Sequence, residues 1–187
     1  MLSQNERKAI IRLIHRQVVP AIGCTEPIAV ALCVAKAKQL LGCEPEKIEV
    51  RLSANILKNA MGVGIPGTNM VGLPIAIALG ALIGNPDQQL EVLQGCCAEA
   101  VEKGKRMIEE KRIDILLEEN DPDKLFINVC CKAANREAEA RIKGAHTHFV
   151  FLRKNDKVML DTAACTAETV KEILAKSSEF ATEKKSQ

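Results

Sequence analysis

The hydrophobic period of this 187-residue chain changes near residue 110, and that change restricts its fold more than any other feature. Before it, apolar residues mostly recur at helical spacing; after it, they alternate. Ile113, Ile115 and Leu117 are followed by Ile127, Val129 and Cys131, then by Ala138, Ala140 and Ile142. Phe149 and Phe151 come next, and a Lys154-Asn155-Asp156 turn leads into Val158-Met159-Leu160. This half reads as a run of antiparallel strands. In the first half, Ser3 and Glu6 have capping-box spacing, and Ile10, Leu13, Ile14 and Val18 form one stripe of a helix ending near Pro20. A second helix is predicted over residues 27–41, with Thr25 as its N-cap and Gly42 as its stop. Residues 28–35 are apolar on every side, which predicts deep burial. Ile48, Val50, Leu52 and Ala54 alternate with polar residues as in a half-buried strand. Residues 73–82 predict a helix of small residues, which Gly84-Asn85-Pro86-Asp87 breaks. Leu90, Leu93, Cys97, Ala100 and Val101 mark an amphipathic helix running towards Glu110, and Val170, Ile173 and Leu174 a last one. The class is α+β: N-terminal helices around a strand and a glycine-rich loop, then an antiparallel meander and a C-terminal helix. Residues 1–176 are expected to form a single domain and 177–187 a polar tail.

Such a core has to be built almost without aromatic residues, since the chain holds four Phe and no Trp or Tyr. The same scarcity removes the stacking platforms of single-stranded nucleic-acid binding, and a net charge of +2 supplies no field for a polyanion. Nucleic acid is therefore not an expected partner. A membrane is not expected either, because the apolar stretch over residues 73–84 is too short to span one. Residues 1–19 carry charges throughout and are not a signal peptide. Those observations predict a cytoplasmic, reducing environment with the eight cysteines mostly free. The cysteines occur as singles and as the adjacent pairs Cys96-Cys97 and Cys130-Cys131, with no C-x-x-C. Neighbouring side chains diverge on a helix or a strand, so each pair is poorly placed to grip one metal. Most read as small core hydrophobes.

Cys24 is the exception. Gly23-Cys24-Thr25-Glu26-Pro27 places a thiol and a carboxylate at the mouth of a helix, whose positive end favours the thiolate. The alternative is a small buried residue at a tight turn. Further along, the loop over residues 62–68 holds three glycines, Pro66 and Thr68 after a lysine-bearing segment. Its backbone N–H groups can form a nest for a small carboxylate, or the loop is a plain connection. It has neither P-loop nor dinucleotide-fingerprint spacing. His146-Thr147-His148 would put two imidazoles on one face of a strand, facing either a ligand or solvent. His15 reads as structural. A pyridoxal phosphate enzyme would need a Schiff-base lysine beside a phosphate cradle, which Lys58 and the 62–68 loop imitate only loosely.

Three blocks carry a resemblance: Gly23-Cys24-Thr25-Glu26-Pro27-Ile28-Ala29-Val30-Ala31, Ser53-Ala54-Asn55-Ile56-Leu57-Lys58-Asn59 and Val63-Gly64-Ile65-Pro66-Gly67-Thr68. In order and spacing they resemble the L-cysteine desulfidase family, related to the iron–sulfur L-serine dehydratase α chain. The resemblance implies a lyase independent of pyridoxal phosphate. In it a 4Fe–4S cluster polarises the leaving sulfur or oxygen at Cβ, and an aminoacrylate hydrolyses to pyruvate and ammonia. By that resemblance Cys24 is a cluster ligand. Glu26, Lys58 and His146 are the candidate catalytic bases, and Ser53, Asn55, Asn59, Gly67, Thr68 and His148 would hold a small amino-acid substrate. Family members are longer, and their other cluster cysteines lie in the half missing here. The chain is thus expected to act as an N-terminal half, completed by a C-terminal half or complementary subunit and able to form a homo-oligomer. The other reading is a regulatory or dimerisation module of the same family that is catalytically incomplete.

Overall fold

A computed structural model describes residues 3–17 and 20–163 of the chain. The first helix, α1 (Gln4–Gln17), opens on the expected capping box. The Ser3 amide donates to the Glu6 carboxylate at 2.8 Å, and the Glu6 amide donates to Ser3 Oγ at 3.3 Å. Its apolar stripe is present but uncovered: Ile10, Leu13 and Ile14 are all exposed.

Helix α2 (Thr25–Leu41) begins two residues earlier than its sequence suggests. Cys24, not Thr25, is the N-cap, and Gly42 closes the helix at φ 80°. Residues 27–35 are buried on every side, as their uninterrupted apolar character requires. One flank of α2 lies on β5 (Phe126–Ala133) and β6 (Arg136–Lys143), and the other meets α4 (Leu73–Leu82). Close approach depends on small residues. A methyl group on Gly80 would sit 2.6 Å from the Ala31 carbonyl oxygen, and one on Gly104 3.0 Å from Ile75 Cδ1. Gly104 belongs to α5 (Ala98–Glu109), which packs on the far side of α4. On the sheet side, the Cys33 thiol donates to the Ala140 carbonyl at 3.2 Å.

Strand β1 (Lys47–Leu52) is followed directly by α3 (Ala54–Ala60), so Ala54 opens a helix instead of extending the strand. The glycine-rich segment then forms a small hairpin of β2 (Gly64–Ile65) and β3 (Met70–Val71). The amphipathic helix expected from Leu90 is shorter than its pattern. A 3₁₀ turn over Pro86–Glu91 precedes it, with Gln89 at φ 50°, and α5 starts only at Ala98.

The main sheet has the order β4-β1-β5-β6-β7-β8, with β4 (Ile113–Leu117), β7 (Phe149–Lys154) and β8 (Lys157–Asp161) completing it. The expected antiparallel run holds from β5 to β8, but β4 pairs parallel to β1, Val50 opposite Ile115. A helical crossover through α3, α4 and α5 joins those two strands, as parallel neighbours require. Ile48, Val50 and Leu52 of β1, Ile127, Val129 and Cys131 of β5, and Ala138, Ala140 and Ile142 of β6 are all buried. The opposite face carries ions: Arg153 bridges Glu137 and Glu139, and Arg141 stacks over Phe126 and Phe151. The result is an α+β fold with its helices on one side of a mostly antiparallel sheet. No described helix is long and apolar enough to cross a membrane. The predicted C-terminal helix, the 177–187 tail and Cys165 lie outside the described residues.

Candidate functional site

One end of the sheet gathers the candidate residues. Strands β1, β4 and β6 finish there, and β5 and β7 start there. Because α2 runs into β1 through a short connection, its N-terminus is brought to the same end. The 20–24 segment touches the β2–β3 hairpin: a methyl group on Gly23, at φ 91°, would lie 2.8 Å from Pro66 Cγ. Cys24 and the glycine-rich segment are therefore neighbours.

Cys24 is half-buried, and its thiol donates to Glu26 Oε2 at 3.1 Å. Thr25 Oγ1 donates to the same oxygen at 3.2 Å. A carboxylate that accepts this proton opposes the thiolate, so the hydrogen bond to Glu26 raises the Cys24 pKa above its ordinary value. The lowering expected from the helix end is outweighed by a full negative charge at hydrogen-bond range. Glu26 moves the other way: the Cys24 hydrogen bond, with Thr25 and the nearby His146, holds its carboxyl below the usual range.

A cavity of about 610 Å³ opens beside this end. Ser53, Asn55 and Lys58 line it together with Glu118, Glu119, Asp121, Asp123 and Lys124. Asn55 and Lys58 are exposed, and their side chains have no hydrogen-bond or ion-pair partner among the described residues. Ser53 is differently used: its Oγ donates to the Lys124 carbonyl at 2.7 Å and accepts from the Phe126 amide at 3.4 Å, pinning α3 to β5. Asn59 is exposed but does not line this cavity.

The 62–68 segment is not an open nest. Thr68 is buried; its Oγ1 donates to the Ile65 carbonyl at 2.6 Å and accepts from the Met70 amide at 2.9 Å. The Thr68 amide is also spent, on the Ile65 carbonyl at 3.2 Å. Gly67, at φ 79°, sits against Cys96, whose Sγ lies 3.8 Å from the Gly67 carbonyl oxygen.

His146 and His148 lie in the turn between β6 and β7, not on a strand, and do not share a strand face. His148 Nδ1 is 3.0 Å from the Lys143 carbonyl, and the residue lines a separate cavity of about 410 Å³ with Arg141 and Lys143. His146 is half-buried and close enough to Glu26 to favour its charge. The side chain of His15 lies outside the described ones.

Sequence patterns missed the acidic lip over residues 118–123. The available signal was Glu118-Glu119-Asn120-Asp121-Pro122-Asp123 itself, a charged breaker run directly after a strand. Among the described residues, no group of three or more His, Cys, Asp or Glu side chains is arranged to hold a metal ion. Burial disfavours the thiolate at two other cysteines: Cys130 is pushed up to about 11 and Cys131 to about 12.

No protein-family model matches the chain, and no solved structure matches it. Curated proteins do. A UPF0597 protein of Bacteroides fragilis is 61% identical over 171 residues, which are 91% of this chain and 40% of that protein. One from Bacteroides thetaiotaomicron is 65% identical over 158 residues, 84% of this chain and 37% of that protein. A UPF0597 protein of Porphyromonas gingivalis is 46% identical over 160 residues, with 86% and 37% covered. This chain is thus similar to UPF0597 proteins over most of its own length and spans about two-fifths of theirs.

Proposed function

We propose that this chain forms one part of an iron–sulfur lyase, independent of pyridoxal phosphate, that eliminates sulfide from L-cysteine or water from L-serine. The observation supporting this reading is that two groups from three segments of chain share one end of the sheet: Cys24 with Glu26 and the nearby His146, and Asn55 with Lys58 in the cavity beside them, whose lining does not include the first three. Lys58 and Asn55 have no structural work among the described residues and face an open cavity. That cavity carries both charge signs, which suits a zwitterion: Lys58 and Asn55 for the carboxylate, Glu118 or Asp123 for the ammonium group. Of the three candidate bases, Glu26 is held in its carboxylate form, chiefly by the hydrogen bond from Cys24. Cys24 offers one thiol for a 4Fe–4S cluster, which takes thiolates at its other positions too. The described residues do not hold such a cluster alone, so the reading assigns the remaining ligands to a second polypeptide, a C-terminal half or complementary subunit.

One observation favours the non-catalytic alternative, a regulatory or dimerisation module. The hydroxyls of Ser53 and Thr68, expected to touch substrate, are turned into backbone hydrogen bonds. Metal retention separates the two readings. After anaerobic incubation with iron and sulfide and gel filtration, the chain alone is expected to keep little iron. Co-expressed with the part of the Bacteroides fragilis relative outside the matched residues, it is expected to keep iron in a Cys24-dependent way. Iron retention unaffected by Cys24→Ser, or none in either sample, contradicts the lyase reading.

A further inference from the structure

Helix α1 has no cover among the described residues. Every residue from Ser3 to Ile14 is exposed, and four of the ten large apolar side chains exposed among the described residues, Ile10, Ile11, Leu13 and Ile14, sit on it. A fourteen-residue helix is marginal in water without tertiary packing, and a contiguous exposed apolar stripe marks an interaction surface. Its described flanking charges are mostly basic, with Arg7, Lys8 and Arg12 against Glu6. In sequence, residues 18–23 separate α1 from Cys24.

We propose that the apolar face of α1 is the docking surface for the polypeptide that completes the site: the portion of UPF0597-like proteins that has no counterpart in this chain. Among the described residues nothing covers the exposed face of the helix. The relatives carry more than half their length outside the matched region, enough polypeptide to cover it. Ile10, Leu13 and Ile14 would enter an apolar groove, and Lys8 and Arg12 would meet acidic residues on its rim.

This inference rests on the two-part reading of the function, and binding instead of turnover keeps the two separable. The probe is the part of the Bacteroides fragilis protein outside its 171 matched residues, co-expressed with the full 187-residue chain. A one-to-one complex is expected, with amides of residues 4–17 slowed in hydrogen exchange. The triple variant I10Q/L13Q/I14Q is expected to weaken the complex roughly a hundredfold, while E99Q on the remote face of α5 leaves it unchanged. A stable complex that the triple variant does not weaken overturns the proposal. So does a dimer of the chain alone that the variant dissolves, or binding to anionic vesicles that it abolishes. Protection of α1 that vanishes when residues 164–187 are removed would assign the face to this chain's own end and overturn it too. Should the probe not fold separately, it is fused to the chain; α1 amides exchanging as fast as in the isolated chain then overturn the docking. Lyase activity in a complex built on the triple variant would leave the functional reading standing and the docking surface wrong.

Discussion

At Cys24, the chemistry is set by a residue two positions away. The thiol proton is shared towards Glu26, which raises the Cys24 pKa above its ordinary 9.0 and lowers that of Glu26 below 4.5. The signs fix the window. Glu26 contributes stability above its unfolded pKa and loses it as pH falls through the lowered folded value. Cys24 contributes below its unfolded pKa and loses it as pH rises through the raised one. The bond therefore persists across the neutral range. Alkylation of Cys24 against pH is expected to show a midpoint above that of a free cysteine, and Glu26→Gln is expected to move it down by removing the opposing charge. A wild-type midpoint below that of free cysteine, or one that Glu26→Gln leaves in place, contradicts the assigned geometry. The sequence made this site legible only in part. Gly-Cys-Thr-Glu-Pro announces a helix mouth, but which way Glu26 turns decides whether the thiol or the thiolate is favoured. Likewise, residue type marked Thr68 as a polar candidate, and only its hairpin geometry consumes the hydroxyl.

Among the elements, α4 and β4 show where pattern suffices and where it does not. The helix over residues 73–82 was legible from its run of small apolar residues and from the breaker Gly84-Asn85-Pro86-Asp87 that ends it. Its reason for small residues was not legible, because that lies in α2: Gly80 faces the Ala31 carbonyl at a distance no Cβ tolerates. Gly80→Ala is expected to force α2 and α4 apart and cost about 1–3 kcal/mol, the usual range for overpacking a core. Gly95→Ala, with open space at its Cβ, is the control and is expected to stay within about 0.5 kcal/mol. Urea denaturation of both variants checks this; equal stability would mean that the two helices are not in contact at Gly80. The direction of β4 could not be read. Alternation of Ile113 and Ile115 is the same in a parallel and an antiparallel strand, and pairing with β1 is decided by the helical crossover between them.

For the molecule as a whole, topology explains why residues as distant in sequence as Cys24, Lys58 and His146 lie at one end of the sheet, where strand ends and one helix start converge. The acidic lip over residues 118–123 became a site feature only because β4 lies beside β1, which sequence alone did not disclose. Anaerobic release of sulfide and pyruvate from L-cysteine tests the two-part lyase itself. It is measured with the 187-residue chain alone, with the chain completed by the unmatched part of a UPF0597 relative, and with the completed form carrying Cys24→Ser. Activity is expected in the completed form only, and is lost on Cys24→Ser, since the cluster then lacks one of its thiolate ligands. Turnover by the isolated chain, or by the completed form without Cys24, would contradict the account.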